Sequence, residues 1–281
     1  MARERSGRTV AHLVLATRLQ MLRKAAGLNV RQAADALGAH QSTIRRIEQA
    51  QTSLDAGQVS ALLTAYGASL AEIEEFLGKL AIANRPGWWH PWRGVMEPWE
   101  LELMSVESAV RIIRTWHPSL VPALLRTPAY ARAVDDALRP DLSRAHRERR
   151  AELLMERQER LRAQQTRIWA LMSAAALHSR VGDSEVMAEQ MKALRSAIER
   201  PDVTLQLHPL DGPPHALIDT PSLTLYRVEV PEIPDHVVRE GGLPGTADIW
   251  HANETVTGYR MLLDFSCAAA FHPDKSKEEL L

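Results

Sequence analysis

The sequence predicts a mainly α protein in two parts: a five-helix N-terminal domain over residues 1–84, then an α+β domain over 85–281 with a small, mainly antiparallel sheet. Three observations predict it. Apolar stripes at helical spacing, most of them closed by a Gly, fill the first 84 residues. Arg85-Pro86-Gly87 then breaks the helical pattern. Beyond the break, helical stretches are interleaved with short alternating runs such as Val203 to His208, the mark of a mixed domain.

Composition sets the limits. A chain of 281 residues is long enough for two domains, and 45% hydrophobic content is ample for packed cores. A net charge of −1 excludes a uniformly basic nucleic-acid coat. The charge is uneven, however. Residues 1–54 hold nine Lys/Arg against three acids, and residues 55–82 reverse the sign. A local basic face suits a DNA reader, because phosphate neutralisation supplies much of the affinity. A solvated helical surface is the plainer reading. The single cysteine, Cys267, excludes an intrachain disulfide and a thiolate zinc cluster, and its apolar run FSCAAAF predicts a buried, inert thiol. No signal-peptide core or 18-residue apolar run is present, so a soluble cytoplasmic protein away from membranes is expected.

The N-terminal elements follow in order. Residues 1–8 are polar, a frayed end or a basic arm. Thr9 to Ala26 reads as a helix with Leu13, Leu15, Leu19 and Leu22 on one stripe, ended by Gly27. Asn29, with Gln32 three residues on, predicts a capping box for a helix over Val30 to Leu37. Gly38 suits a turn at positive φ. A second short helix, Gln41 to Gln49, completes a helix-turn-helix. Ala33, Ala34, Leu37, Ile44 and Ile47 can close its core. Gln41, Ser42, Arg45 and Arg46 then face outward, types that bond base edges and phosphates in a major groove. Thr43 on the same helix and Arg31 on the preceding one join the candidate DNA contacts. Asp55 to Tyr66 and Ser69 to Ala83 read as the last two helices.

In the second part, Trp88, Trp89, Trp92 and Trp99 cluster, as pocket lining or as a core wedge. Leu101 to Trp116 carries a helical pattern through Leu103, Val106, Val110 and Ile113. Ser143 to Ala163 is a long charged helix, solvent-laced or a dimer seam. Ile168 to Met172 reads as a strand, Ser184 to Ile198 as a helix, and Val203 to His208 as a half-buried strand. Ser222 to Val228, Val237-Val238 and Ala247 to Trp250 read as further strands, and Glu254 to Phe271 as a C-terminal helix.

The order G-L-N, small residues, L-G, Q-S-T-I, I-E over Gly27 to Glu48 resembles the phage-repressor type of DNA-binding domain, the XRE family. That resemblance implies base reading by Gln41, Ser42 and Arg46, with Arg45 on base or phosphate. It also implies a structural pair between Arg23 and Glu48. His40 stands where the family usually has a capping Ser or Thr. From Trp88 onward, the order WW-H, E-x-x-A, V-P-x-L-L-x-T-x-x-Y-A-R-A and V-T-L-Q-L-x-P resembles the DUF5753 domain of Scr1-type regulators of actinomycetes. This chain has Ala123 and Arg126 where that family usually has Gly and Gln, and Ser173-Ala174 where it has Asp-Glu. The resemblance implies a dimeric regulator whose partner is often a small protein encoded next door.

A search for chemistry finds little. There is no G-x-S-x-G elbow or Walker A motif, and Glu240 to Gly245 is Gly-rich without phosphate-binding spacing. His208 and His215 flank Asp211, a weak metal pattern; no metal or cofactor is expected. Three Trp-His pairs recur, so Trp89, His90, Trp92, Trp116, His117 and Arg126 form a candidate pocket, with ordinary packing as the alternative. The expected function is a dimeric, sequence-specific DNA-binding transcriptional regulator of double-stranded DNA. Its C-terminal domain would sense a small partner protein or a small-molecule effector. The alternative is a relic helix-turn-helix whose second domain binds or converts a small molecule. The sequence shows no catalytic set that would make it an enzyme.

Overall fold

The computed structural model describes residues 9–280. Met1 to Arg8, the frayed end or basic arm of the sequence reading, lie outside the described residues. Contacts divide the chain into two compact units. The first runs to Pro91 and includes Leu101–Val106 and Val230–Ile233; the second holds the remainder.

Between residues 9 and 91 the first unit holds α1 (Val10–Ala25), α2 (Val30–Leu37), α3 (Gln41–Glu48), α4 (Ala56–Ala65) and α5 (Leu70–Ala83). Each begins where a short polar side chain can take a backbone N–H, except α3. Thr9, Asn29, Asp55 and Ser69 cap the other four, and Asn29–Gln32 and Ser69–Glu72 form complete capping boxes. One core gathers their apolar faces, with Leu15, Leu19, Ile44, Ile47, Leu62 and Phe76 buried in it. Leu37 packs on its margin.

The later elements are α6 (Pro98–Glu107), β1 (Val110–His117), α7 (Pro128–Leu138), α8 (Arg144–Ala163), β2 (Arg167–Ser173) and α9 (Ala175–His178). They continue with α10 (Ser184–Ala197), β3 (Val203–His208), β4 (Leu223–Val228), β5 (His236–Glu240), β6 (Ala247–Trp250), α11 (Asn253–Ala269) and α12 (Pro273–Glu278). The six strands form one sheet in the order β3-β2-β1-β4-β5-β6. β1 pairs parallel with β2, and β2 with β3; the three remaining pairings are antiparallel. The sheet is therefore α+β and mainly antiparallel, with a parallel wing made by two helical crossovers.

One expectation fails here. Leu101 to Trp116 is not a single helix: α6 stops at Glu107 and Val110–His117 is the strand β1. Leu103, Val106, Val110 and Ile113 do satisfy the helical period. But Val110, Ile112, Ile113 and Thr115 are β-branched, and β1 lies between β2 and β4, paired on both edges. That pairing outweighs a local period. α7 is not among the elements expected from the sequence, though Thr127 caps it and Pro128 opens it.

Alternation builds the two faces of the sheet. On β2, Ile168, Ala170 and Met172 enter a core with Val121, Tyr130 and Leu194, while Leu171 enters another with Trp116, Val237 and Leu263 of α11. Cys267 is buried in the second, as its sequence predicts, with Sγ 3.7 Å from Arg114 Nη2. β1, β2 and β5 all point their carboxyl ends to one edge of the sheet, where β4 begins.

Candidate functional site

The helix-turn-helix is built locally. Gly38 ends α2 at φ +61°, and its N–H reaches Asp35 O at 3.1 Å. Only Gly takes that left-handed conformation without a Cβ penalty. His40 then leads into α3 with extended backbone and makes no side-chain cap. Ile44 and Ile47 bury the inner face of α3. Gln41, Ser42, Arg45 and Arg46 are exposed on the other face, and Thr43 is half-buried. Gln41 with Arg45, and Ser42 with Arg46, stand one turn apart on the same side. Arg31 on α2 is exposed too. Among the described residues, Arg31, Arg45 and Arg46 meet no carboxylate within 4.0 Å.

Arg23 behaves differently. Its Nε lies 2.6 Å from Glu48 Oε1 and its Nη2 2.9 Å from Oε2, both side chains being buried; Nη1 also donates to Leu28 O at 2.7 Å. The pair ties α1 to the end of α3. The Glu48 bonds hold the guanidinium above its usual pKa. Of these four arginines, Arg23 is paired and structural, while Arg31, Arg45 and Arg46 stand exposed without a carboxylate partner among the described residues.

The second unit holds a cavity of about 400 Å³ at the edge where the carboxyl ends of β1 and β5 meet the start of β4. In open sheets with helical crossovers, the place where strand connections change direction is where ligands commonly sit. Glu240 to Thr246 forms one wall. Gly245 there has φ +81°, and an added Cβ would run into the Arg139 guanidinium. Trp99 Nε1 pins this wall by donating to Gly245 O at 3.0 Å. By sequence alone Glu240–Gly245 reads only as a loop without phosphate-binding spacing. Its place beside the cavity depends on sheet order, which no local motif encodes.

Of the six residues grouped as a candidate pocket, only Arg126 lines this cavity. Its Nε donates to Val121 O at 2.7 Å. Trp92 borders a different hollow with Arg132 and Met155, and the Arg149 guanidinium lies 5.5 Å from its ring centre. Trp116 is core: its Nε1 donates to Thr220 O at 3.0 Å, and its ring meets His215 edge-on at 4.7 Å. His117 is buried with no hydrogen-bond partner for Nδ1. Burial, with the Arg126 charge adding to it, pulls its pKa down to about 3. Trp89 and His90 belong to the first unit, where Trp89 is buried against Trp88 at 6.1 Å. The third Trp of the recurring pairs, Trp250, stacks on Tyr259 at 5.4 Å. Both ring nitrogens of His208 lie 3.0 Å from carbonyl oxygens, of Pro209 and Pro213, so neither is turned outward to ligate.

Five helices, four of them capped by side chains, with a solvent-facing α3, followed by an α+β sheet domain, define a two-part helix-turn-helix protein. Comparison with known families agrees. A helix-turn-helix domain model matches residues 14–76, and the model of a domain of unknown function, DUF5753, matches residues 101–281. The second match spans more than half of the chain, and the protein belongs to the DUF5753 family. No curated protein and no solved structure matches it. Among the described residues, no helix is long and apolar enough to cross a membrane.

Proposed function

We propose that the protein is a sequence-specific DNA-binding transcriptional regulator acting as a homodimer. Residues 1–84 are its DNA-binding domain. Residues 85–281 dimerise and respond to a small partner protein or a small-molecule effector. The observation that carries the reading is the outer face of α3, where Gln41, Ser42, Arg45 and Arg46 are exposed and the arginines lack carboxylate partners among the described residues. A cation neutralised by its own protein gives little to phosphate; these are free to give it. In a major groove, Gln can bond adenine in bidentate fashion and Arg guanine, each worth about 1–3 kcal/mol of discrimination. Arg31 and Arg45 serve the phosphates, and Arg46 a base edge.

Selection of DNA from a random library with the full chain tests this. The expected winner is a pseudo-palindrome with half-sites about one helical turn, roughly 34–36 Å, apart. Affinity for it should fall steeply with salt. Arg46→Ala should relax preference at one position of each half-site. Arg31→Ala should weaken all sequences alike and reduce the salt slope by about one. Absence of enrichment above non-specific binding at low salt overturns the regulator reading. Retention of full specificity by Arg46→Ala overturns the register.

A further inference from the structure

The cavity beside Glu240–Thr246 is lined by four arginines and three carboxylates, and most of them cancel locally. Arg150 meets Glu100 at 3.1 Å and Asp135 at 3.2 Å. Arg157 meets Glu107 at 2.7 Å. Arg139 meets Glu97 at 3.0 Å and Asp141 at 3.5 Å. Two groups remain. Arg126 spends Nε on Val121 O, and among the described residues its two terminal nitrogens have no carboxylate within 4.0 Å. Among the described residues, Glu240 has no cationic partner within that distance either. The two are close enough to influence each other's protonation, yet too far apart to form an ion pair. Burial pushes the Arg126 guanidinium down, while the Glu240 charge favours its ionised form. Glu240 itself is exposed at the cavity wall.

A hollow with one unanswered cation and one unanswered carboxylate selects by charge pattern. A simple anion would satisfy Arg126 and be repelled by Glu240. A simple cation would do the reverse. A neutral ligand would cover both and leave each desolvated without a partner, which is costly. A zwitterion answers both at once, and the arginine fork matches a carboxylate's two oxygens. The rest of the wall is largely apolar, with Leu120, Val134, Leu138 and Leu154 among its members. The volume of about 400 Å³ lies in the range of small-molecule sites.

We propose that this cavity binds a free α-amino acid with an apolar side chain, its carboxylate on Arg126 and its ammonium on Glu240. The inference deepens the reading of residues 85–281 as the sensing domain and rests on it for biological meaning. Its test is independent of DNA.

The twenty L-α-amino acids are titrated singly into the full chain by calorimetry, without DNA. For the one that binds best, the N-acetyl derivative and the amine lacking its carboxylate follow. The expected result is binding by an apolar L-amino acid, weakened about tenfold or more in each analogue and in Arg126→Gln and Glu240→Gln, a loss of about 1.4 kcal/mol or more. Glu240 is exposed at the cavity wall, so Glu240→Gln should keep the native melting temperature and decides the matter if Arg126→Gln fails to fold. Failure of all twenty to bind overturns the proposal. Equal binding by the N-acetyl derivative, or indifference to Glu240→Gln, overturns it as well. A chain that takes the amino acid but selects no DNA removes the regulator reading and leaves this one. The converse result removes this one alone.

Discussion

Arg23 and Glu48 face each other in two parallel hydrogen bonds, 2.6 and 2.9 Å long, beneath the surface of the five-helix domain. The bond matters for what α3 presents. Glu48 is the last residue of α3, and α3 buries only Ile44, Ile47 and Glu48 itself. With so small an apolar footprint, this pair sets how the helix is held against α1.

Removing one partner should therefore cost more than the pair is worth. Arg23→Met leaves the Glu48 carboxylate buried and unanswered, and is expected to destabilise the domain by about 3 kcal/mol. The double change Arg23→Met/Glu48→Leu should recover most of that loss, because two apolar side chains need no partner. Urea denaturation of the parent and these two variants checks both. A single variant as stable as the parent would show that the pair is solvated and incidental.

His40 gives the opposite sign. It occupies the N-cap of α3 with suitable extended backbone, but offers no side-chain acceptor to the first turn. His40→Ser supplies one and should stabilise the domain by about 1 kcal/mol. The measurement is the shift of the urea midpoint at constant slope. No gain would mean that the first-turn N–H groups already have partners in water.

How much of this was legible in the sequence follows from where the information lies. The five helices are local: caps at Asn29 and Ser69, glycines at Gly27, Gly38 and Gly67, and stripes that need no distant partner. Their limits fall within a residue or two of the observed ones. β1 was not legible, because Val110, Ile113 and their neighbours satisfy two periods, and only pairing with Arg167–Met172 and Leu223–Val228 decides between them. The cavity was legible in one residue, Arg126. Glu240 lies over a hundred positions away and reaches the cavity only through the order of strands β1, β4 and β5. The Trp-His pairs misdirect for a related reason. Neighbours in a strand point to opposite faces, so Trp116 goes to the core below α11 while His117 turns the other way.

Tyr66 carries a buried hydroxyl with no hydrogen-bond partner among the described residues. Burial and the nearby Glu48 charge push its pKa up to about 12, against the pull of Arg23, so the group stays protonated. It is a donor with nothing to donate to. Tyr66→Phe keeps the ring and removes the orphan, and should leave stability unchanged or raise it by up to about 1 kcal/mol. Thermal melting decides it. A loss beyond 1 kcal/mol, roughly the worth of a net hydrogen bond, would reveal a partner such as an ordered water.

His117 makes stability depend on pH. Its pKa falls from an ordinary value of 6.5 to about 3 in the folded chain, chiefly because the ring is buried and also because Arg126 stands near. Between those two values the unfolded chain binds the extra proton and the folded chain does not, so stability rises with pH. The contribution is fully present above pH 6.5 and is lost as pH falls toward 3. From pH 6 to pH 4 the expected loss from this group alone is about 2 kcal/mol. His117→Leu removes the titration, so the parent should lose about that much more stability than the variant over the same interval, measured by urea denaturation at each pH. Carboxylates titrate in both proteins and cancel in the difference. Parallel pH profiles would mean that the folded ring takes up its proton near pH 6.5, and that water or a carbonyl oxygen reaches Nδ1 after all.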